Sequence, residues 1–135
     1  MSKTLLASVE DLFFRSKIET TARHLNVPVR FVGHSELAKA CGDGKAGAVL
    51  MELSGGADAL SAVRALRQNK ACEGLPVIGF LSHVDRKLAE EARSAGVTQV
   101  MPRSEFSETL PDLLMDLLAP GTKREIQEEP ELPDE

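Results

Sequence analysis

Five short apolar runs alternate along the chain with longer stretches of helical spacing. The runs are "TLLASV" (4–9), "VPVRFV" (27–32), "AVLMEL" (48–53), "PVIGFL" (76–81) and "TQVMP" (98–102). Three are nearly continuous in apolar residues, as strands buried on both faces are. Between the first two, Phe14, Ile18, Ala22 and Leu25 form one stripe at helical spacing and predict a helix over about residues 12–25. A short second helix is expected at about 35–41, and a third at about 57–68 with Leu60, Val63 and Leu66 inward. The fourth, near 85–95, has Asp85 as N-cap, Leu88, Ala92 and Ala95 inward, and Gly96 as its stop. The fifth is expected to start at Thr109 as N-cap, with Pro111 in its first turn and Leu110, Leu113, Leu114, Leu117 and Leu118 facing a sheet.

Five strand-then-helix repeats with short joins predict an α/β domain: a doubly wound parallel five-stranded sheet, (βα)5, covered on both faces through right-handed crossovers. Residues 1–119 form the domain, and "PGTKREIQEEPELPDE" (120–135) reads as a disordered acidic tail, with three prolines and few apolar residues. The net charge of −5 sits mostly there, where six acids face Lys123 and Arg124. The body is close to neutral, without the basic footprint of a nucleic-acid binder. Five Phe and no Trp or Tyr leave little for stacking on bases or on a flavin.

Cys41 and Cys72 lie 31 positions apart, a spacing of neither a zinc pair nor a redox Cys-x-x-Cys. They read as isolated, inert thiols of a reducing compartment. "MSKTLLASVED" turns acidic too early for a signal peptide, and no apolar run approaches the roughly 20 residues of a membrane span. A cytoplasmic protein with no membrane and no nucleic-acid partner is the expectation.

In such a sheet the chemistry sits outside the carboxyl ends of the strands. Glu10 and Asp11 end strand one, Glu52 strand three, Leu81 and Ser82 strand four, and Arg103 strand five. Carboxylates gathered on one rim repel one another and need Arg103, a hard cation or a proton to coexist. "GDGKAG" (42–47) lacks the glycine and Ser/Thr of a phosphate loop and reads as a polar turn. In "SHVD" (82–85) the Ser, His and Asp are neighbours on one turn, which is no triad, and His83 is expected to face solvent. His24 and His34 show no ligand spacing. Phe13, beside Phe14, reads as additional packing against a neighbouring element.

Over about residues 3–118, and most closely over "PVIGFLSHVDRKLAEEARSAGVTQVMPR", the chain resembles the receiver domains of two-component response regulators. The resemblance implies the flavodoxin-like fold with strand order 2-1-3-4-5. By position Glu10 and Asp11 stand for the family's acidic pair, Glu52 for the phosphoaccepting Asp, Leu81 for the hydroxyl residue and Arg103 for the lysine. Ser82 is the nearest hydroxyl, Val100 stands where switching members carry an aromatic residue, and Ser104 where they carry proline. Glu52 is one methylene longer than Asp, and a misplacement near 1 Å costs on the order of 10²-fold in rate. Leu81 cannot donate a hydrogen bond, and Arg103 is a planar fork where lysine is a point charge.

The resemblance with these departures implies a pseudo-receiver. It would be a stand-alone interaction module in signal transduction, with no catalytic residues and no enzymatic activity, not switched by ordinary aspartyl phosphorylation. Glu52 would imitate a phosphorylated aspartate by reaching towards Arg103. No cofactor is required, and Mg²⁺ is the one that Glu10, Asp11 and Glu52 could take. Partners would be signalling proteins on the helix four–strand five–helix five face, a second copy among them. The alternative is a single-domain response regulator that accepts phosphate from a histidine kinase with Mg²⁺. A small flavodoxin-like cofactor binder is a third reading.

Overall fold

Apolar side chains alternate between the two faces of every central strand, and that alternation sets the layers. The computed structural model describes residues 3–42, 44–54, 57–82 and 85–118. Its strands are β1 (Thr4–Ser8), β2 (Val29–Phe31), β3 (Ala46–Glu52), β4 (Val77–Leu81) and β5 (Gln99–Pro102). Its helices are α1 (Leu12–His24), α2 (Leu37–Cys41), α3 (Ala57–Arg67), α4 (Arg86–Ala95) and α5 (Arg103–Leu117). Single 3-10 turns, His34–Glu36 and Lys70–Cys72, precede α2 and β4. All strand pairs are parallel, in the order β2-β1-β3-β4-β5. Parallel neighbours require a crossover, and each crossover here carries a helix.

Leu5, Ala7, Ala48, Leu50, Ile78 and Phe80 face α1 and α5, and Leu6, Val49, Met51, Val77 and Leu81 face α2, α3 and α4. On the first face, Phe14 of α1, Phe80 of β4 and Phe106 of α5 form a buried aromatic cluster. Phe80 and Phe106 stack at 4.3 Å between centroids, and Phe14 lies 4.9 Å from Phe80. On the second face, Leu53 lies across Gly79, where an added Cβ would come within 2.7 Å of its side chain. Only a residue without a side chain lets Leu53 close that face.

The expected helices one to four form within a few residues of their predicted spans, α4 with its Asp85 cap accepting from Leu88 N–H at 3.1 Å. Helix five does not start at Thr109. It starts at Arg103, and Pro111 lies inside it. Thr109 Oγ1 instead donates to Glu105 O at 2.8 Å, one turn back. Extending the helix by six residues lets Phe106 and Leu110 bury completely together, which outweighs the hydrogen bond that Pro111 forfeits. Phe13 is 64 % exposed and meets the edge of Phe14, so it adds no packing against another element.

Cys41 and Cys72 are not isolated. They form a disulfide with Cα atoms 6.5 Å apart, because β3 and α3 carry the chain out and back between them. The 120–135 tail and His83 lie outside the described residues. Among those described, no helix is long and apolar enough to cross a membrane.

Candidate functional site

The carboxyl edge of the sheet is assembled from the ends of β1, β3, β4 and β5. Val9, just past β1, is buried in the core, so the next residue, Glu10, turns outward and is exposed. Asp11 then caps α1, its Oδ1 accepting from Phe13 N–H at 2.9 Å and Phe14 N–H at 3.2 Å. Its Oδ2 faces Arg103 Nη2 at 3.6 Å. Arg103, first residue of α5, lays its guanidinium over the Phe14 ring at 5.0 Å. Asp11, Arg103 and Phe14 thus tie the start of α1 to the start of α5.

Glu52 ends β3, half-buried, and its carboxylate turns towards backbone. Oε1 accepts from Glu10 N–H at 2.9 Å and from Asp11 N–H at 3.3 Å, while Oε2 accepts from Ser54 Oγ at 3.3 Å. This is a short anion nest at the N-terminal end of α1, where the helix dipole also favours negative charge. Those amides compensate the charge at the strand end. Glu52 does not reach Arg103, whose ion pair is with Asp11.

Among the described residues no three His, Cys, Asp or Glu side chains group so as to hold a metal ion. Asp11 is engaged by the α1 amides and Arg103, and Glu52 by the amides of residues 10 and 11. The charges of Asp11 and Glu52 are therefore compensated within the chain.

Leu81 is 5 % exposed and belongs to the core with α3 and α4. Ser82 beside it is exposed. Val100, half-buried on β5, packs against the same cluster. Between α4 and β5 an open cavity of about 430 Å³ is lined by Leu81, Arg86, Ala89, Glu90, Val100 and Met101.

Two polar features had gone unassigned in the sequence. Ser8, 1 % exposed at the end of β1, hydrogen-bonds through Oγ to His34 Nδ1, joining β1 to the turn after β2. A lone serine in an apolar strand was the available signal, since a buried hydroxyl needs a partner. Arg67 ends α3 and donates to Gly96 O (3.0 and 2.8 Å), Cys72 O (2.8 Å) and Glu73 O (3.1 Å), with Thr98 Oγ1 at 3.3 Å. Burial pushes its guanidinium down from the usual arginine range. His24 Nδ1, by contrast, lies 3.1 Å from Thr20 O of its own helix.

Removing the Asp11 side chain should expose how much the cap contributes. Asp11→Ala is expected to cost about 1–2 kcal/mol in urea unfolding. Asp11→Asn, which keeps the cap and loses the half-exposed ion pair, should cost no more than about 0.5 kcal/mol.

No protein-family model matches the sequence, and no curated protein does. Solved structures do match. The chemotaxis protein CheY4 of Vibrio cholerae superposes with a TM-score of 0.75 at 15% identity, covering 87% of this chain and 100% of its own. The chain has the receiver fold. The receiver domain of a Pseudomonas aeruginosa sensor histidine kinase, which holds a magnesium ion in its active-site cleft, gives 0.74 at 18% identity over 87% and 98%. The phosphorylated cyanobacterial phytochrome response regulator RcpA gives 0.73 at 10% identity over 87% and 94%. These similarities are of fold. On that receiver fold, the strand ends of this chain carry the Glu52 nest and the Asp11–Arg103 pair described above.

Proposed function

We propose that the chain is a pseudo-receiver, a protein-interaction module of signal transduction that works without aspartyl phosphorylation and has no catalytic activity of its own. The observation that carries this reading is the state of Glu52. Its carboxylate is fixed by two backbone amides and a serine hydroxyl, so it is not a free nucleophile facing a phosphoryl donor. Phosphoryl transfer depends on in-line positioning and on metal and cationic stabilisation of the transferred group. Here the guanidinium is paired with Asp11, no three acidic side chains among the described residues group together, and β4 ends in the buried Leu81, which has no hydroxyl.

The nest holds one orientation of the Glu52 carboxylate, and with it one relation between β1, β3 and α1. A receiver built this way presents a single surface to its partner. The cavity between α4 and β5, with an apolar floor and Arg86 and Glu90 on its rim, supports partner binding on the α4–β5–α5 face. That partner is a protein, a second copy included. The near-neutral body argues against nucleic acid.

Incubation with acetyl phosphate and Mg²⁺, followed by intact-mass measurement, tests the reading. The expected mass is unchanged. A Mg²⁺-dependent gain of one phosphoryl group, absent in Glu52→Ala, would establish the phosphate-accepting regulator in its place.

A further inference from the structure

The Cys41–Cys72 bridge joins the short helix α2 to the turn before β4. β2 has three residues, lies at the edge of the sheet and pairs with β1 alone. The 3-10 turn His34–Glu36 follows, and then α2, which at five residues is far below the length at which a helix sustains itself. Segments with so few backbone partners open at low cost. Cys72, at the other end, closes the 3-10 turn that Arg67 grips through Cys72 O and Glu73 O. Between α2 and α3 runs an open groove of about 520 Å³, lined by Glu10, His34, Ser35, Ala38, Asp58 and Ser61. Ala38 belongs to α2, so the position of α2 sets one wall of it.

We propose that the disulfide is a reversible, thiol-operated clamp that holds α2 and thereby the width of this groove. Cys41 is 2 % exposed and Cys72 0 %, so attack requires α2 to open; Cys41 then borders an opening of about 400 Å³ at the amino edge of the sheet, beside Gly44 and Ala71. A low-molecular-weight thiol such as glutathione enters there. Its thiolate attacks Cys41 Sγ, the S–S bond breaks, and Cys72 departs as a thiolate. A second thiolate attacks the glutathione sulfur of the mixed disulfide and releases Cys41. Two electrons pass from two thiols to the bridge. Their two protons end on Cys41 and Cys72, and glutathione leaves as its disulfide. The clamp does not depend on which partner the chain binds.

Hydrogen exchange of the full chain, read by mass spectrometry in oxidised and then reduced glutathione, tests this, with alkylation and intact mass reporting the thiols. Two thiols should appear together on reduction and vanish together on return to oxidant. Amides of residues 34–42 should exchange at least tenfold faster in the reduced chain, a larger gain than in β1, β3 or β4. A bridge that does not open and close, no gain, or an equal gain in every strand would overturn the proposal. An equal gain would make the bridge a staple on the whole fold. Cys41→Ala combined with Cys72→Val should show the reduced pattern in both buffers, and a redox response surviving in it would also overturn the assignment.

Discussion

Phe106→Ala is expected to cost about 3–5 kcal/mol in stability. Phe106 has no exposed surface, stacks on Phe80 at 4.3 Å and lies 5.9 Å from Phe14. Truncation removes the transfer energy of the ring and leaves a void between α5 and the sheet. The wall is two other rings and strand side chains, which cannot collapse into it freely. A domain of ordinary stability, about 5–15 kcal/mol, would lose a third or more of it. Urea unfolding should show a lowered midpoint at an unchanged slope. Phe106→Leu, which refills most of the volume, should cost about 1.5 kcal/mol or less. The loss also reaches the carboxyl edge: Arg103 lies one turn from Phe106, and its stacking partner Phe14 belongs to the same cluster.

The sheet was legible because a doubly wound fold writes itself as apolar runs. Buried strands have nowhere to place polar residues, so "AVLMEL" and "PVIGFL" announce central strands directly. The start of α5 was not legible for a local reason. Thr109 with Pro111 two residues on has the form of a helix entrance, and what overrides that form is Phe106, whose burial depends on rings contributed by α1 and β4. Likewise the spacing of Cys41 and Cys72 carries no geometry until β3 and α3 are folded between them.

At the strand ends, residue positions could be read but pairing could not. Sequence placed Glu10, Asp11, Glu52 and Arg103 on one rim, and the structure keeps them there. The expectation that Glu52 meets Arg103 treated charges as the only available partners. Backbone amides are equally good partners, and the α1 entrance supplies two of them 2.9 and 3.3 Å from Glu52 Oε1. Asp11 has the residue type of a helix cap as well as of a metal ligand, and only the position of Leu12 as the first helical residue decides between them.

Arg67 should be the most costly polar residue to remove. Arg67→Ala is expected to destabilise the chain by about 2–3 kcal/mol, because hydrogen bonds from a charged donor are the strong class. The acceptors are the carbonyls of Cys72, Glu73 and Gly96, which belong to the turn before β4 and the turn between α4 and β5. Without Arg67 the two turns lose the side chain that ties them to each other. Gly96 takes φ +123°, and an added Cβ there would come within 2.6 Å of Arg67 Cγ. Arginine and glycine therefore require each other, one for close approach and the other for a conformation that side chains disfavour. Arg67→Lys keeps the charge and loses the planar fork that reaches two turns at once, so it should recover less than half of the loss. Equal stability of the lysine variant and the native chain in urea would show that charge alone holds the turns. If Arg67→Ala and Gly96→Ala together cost less than the sum of their separate effects, the coupling is direct, as the contact between Cγ and Gly96 requires.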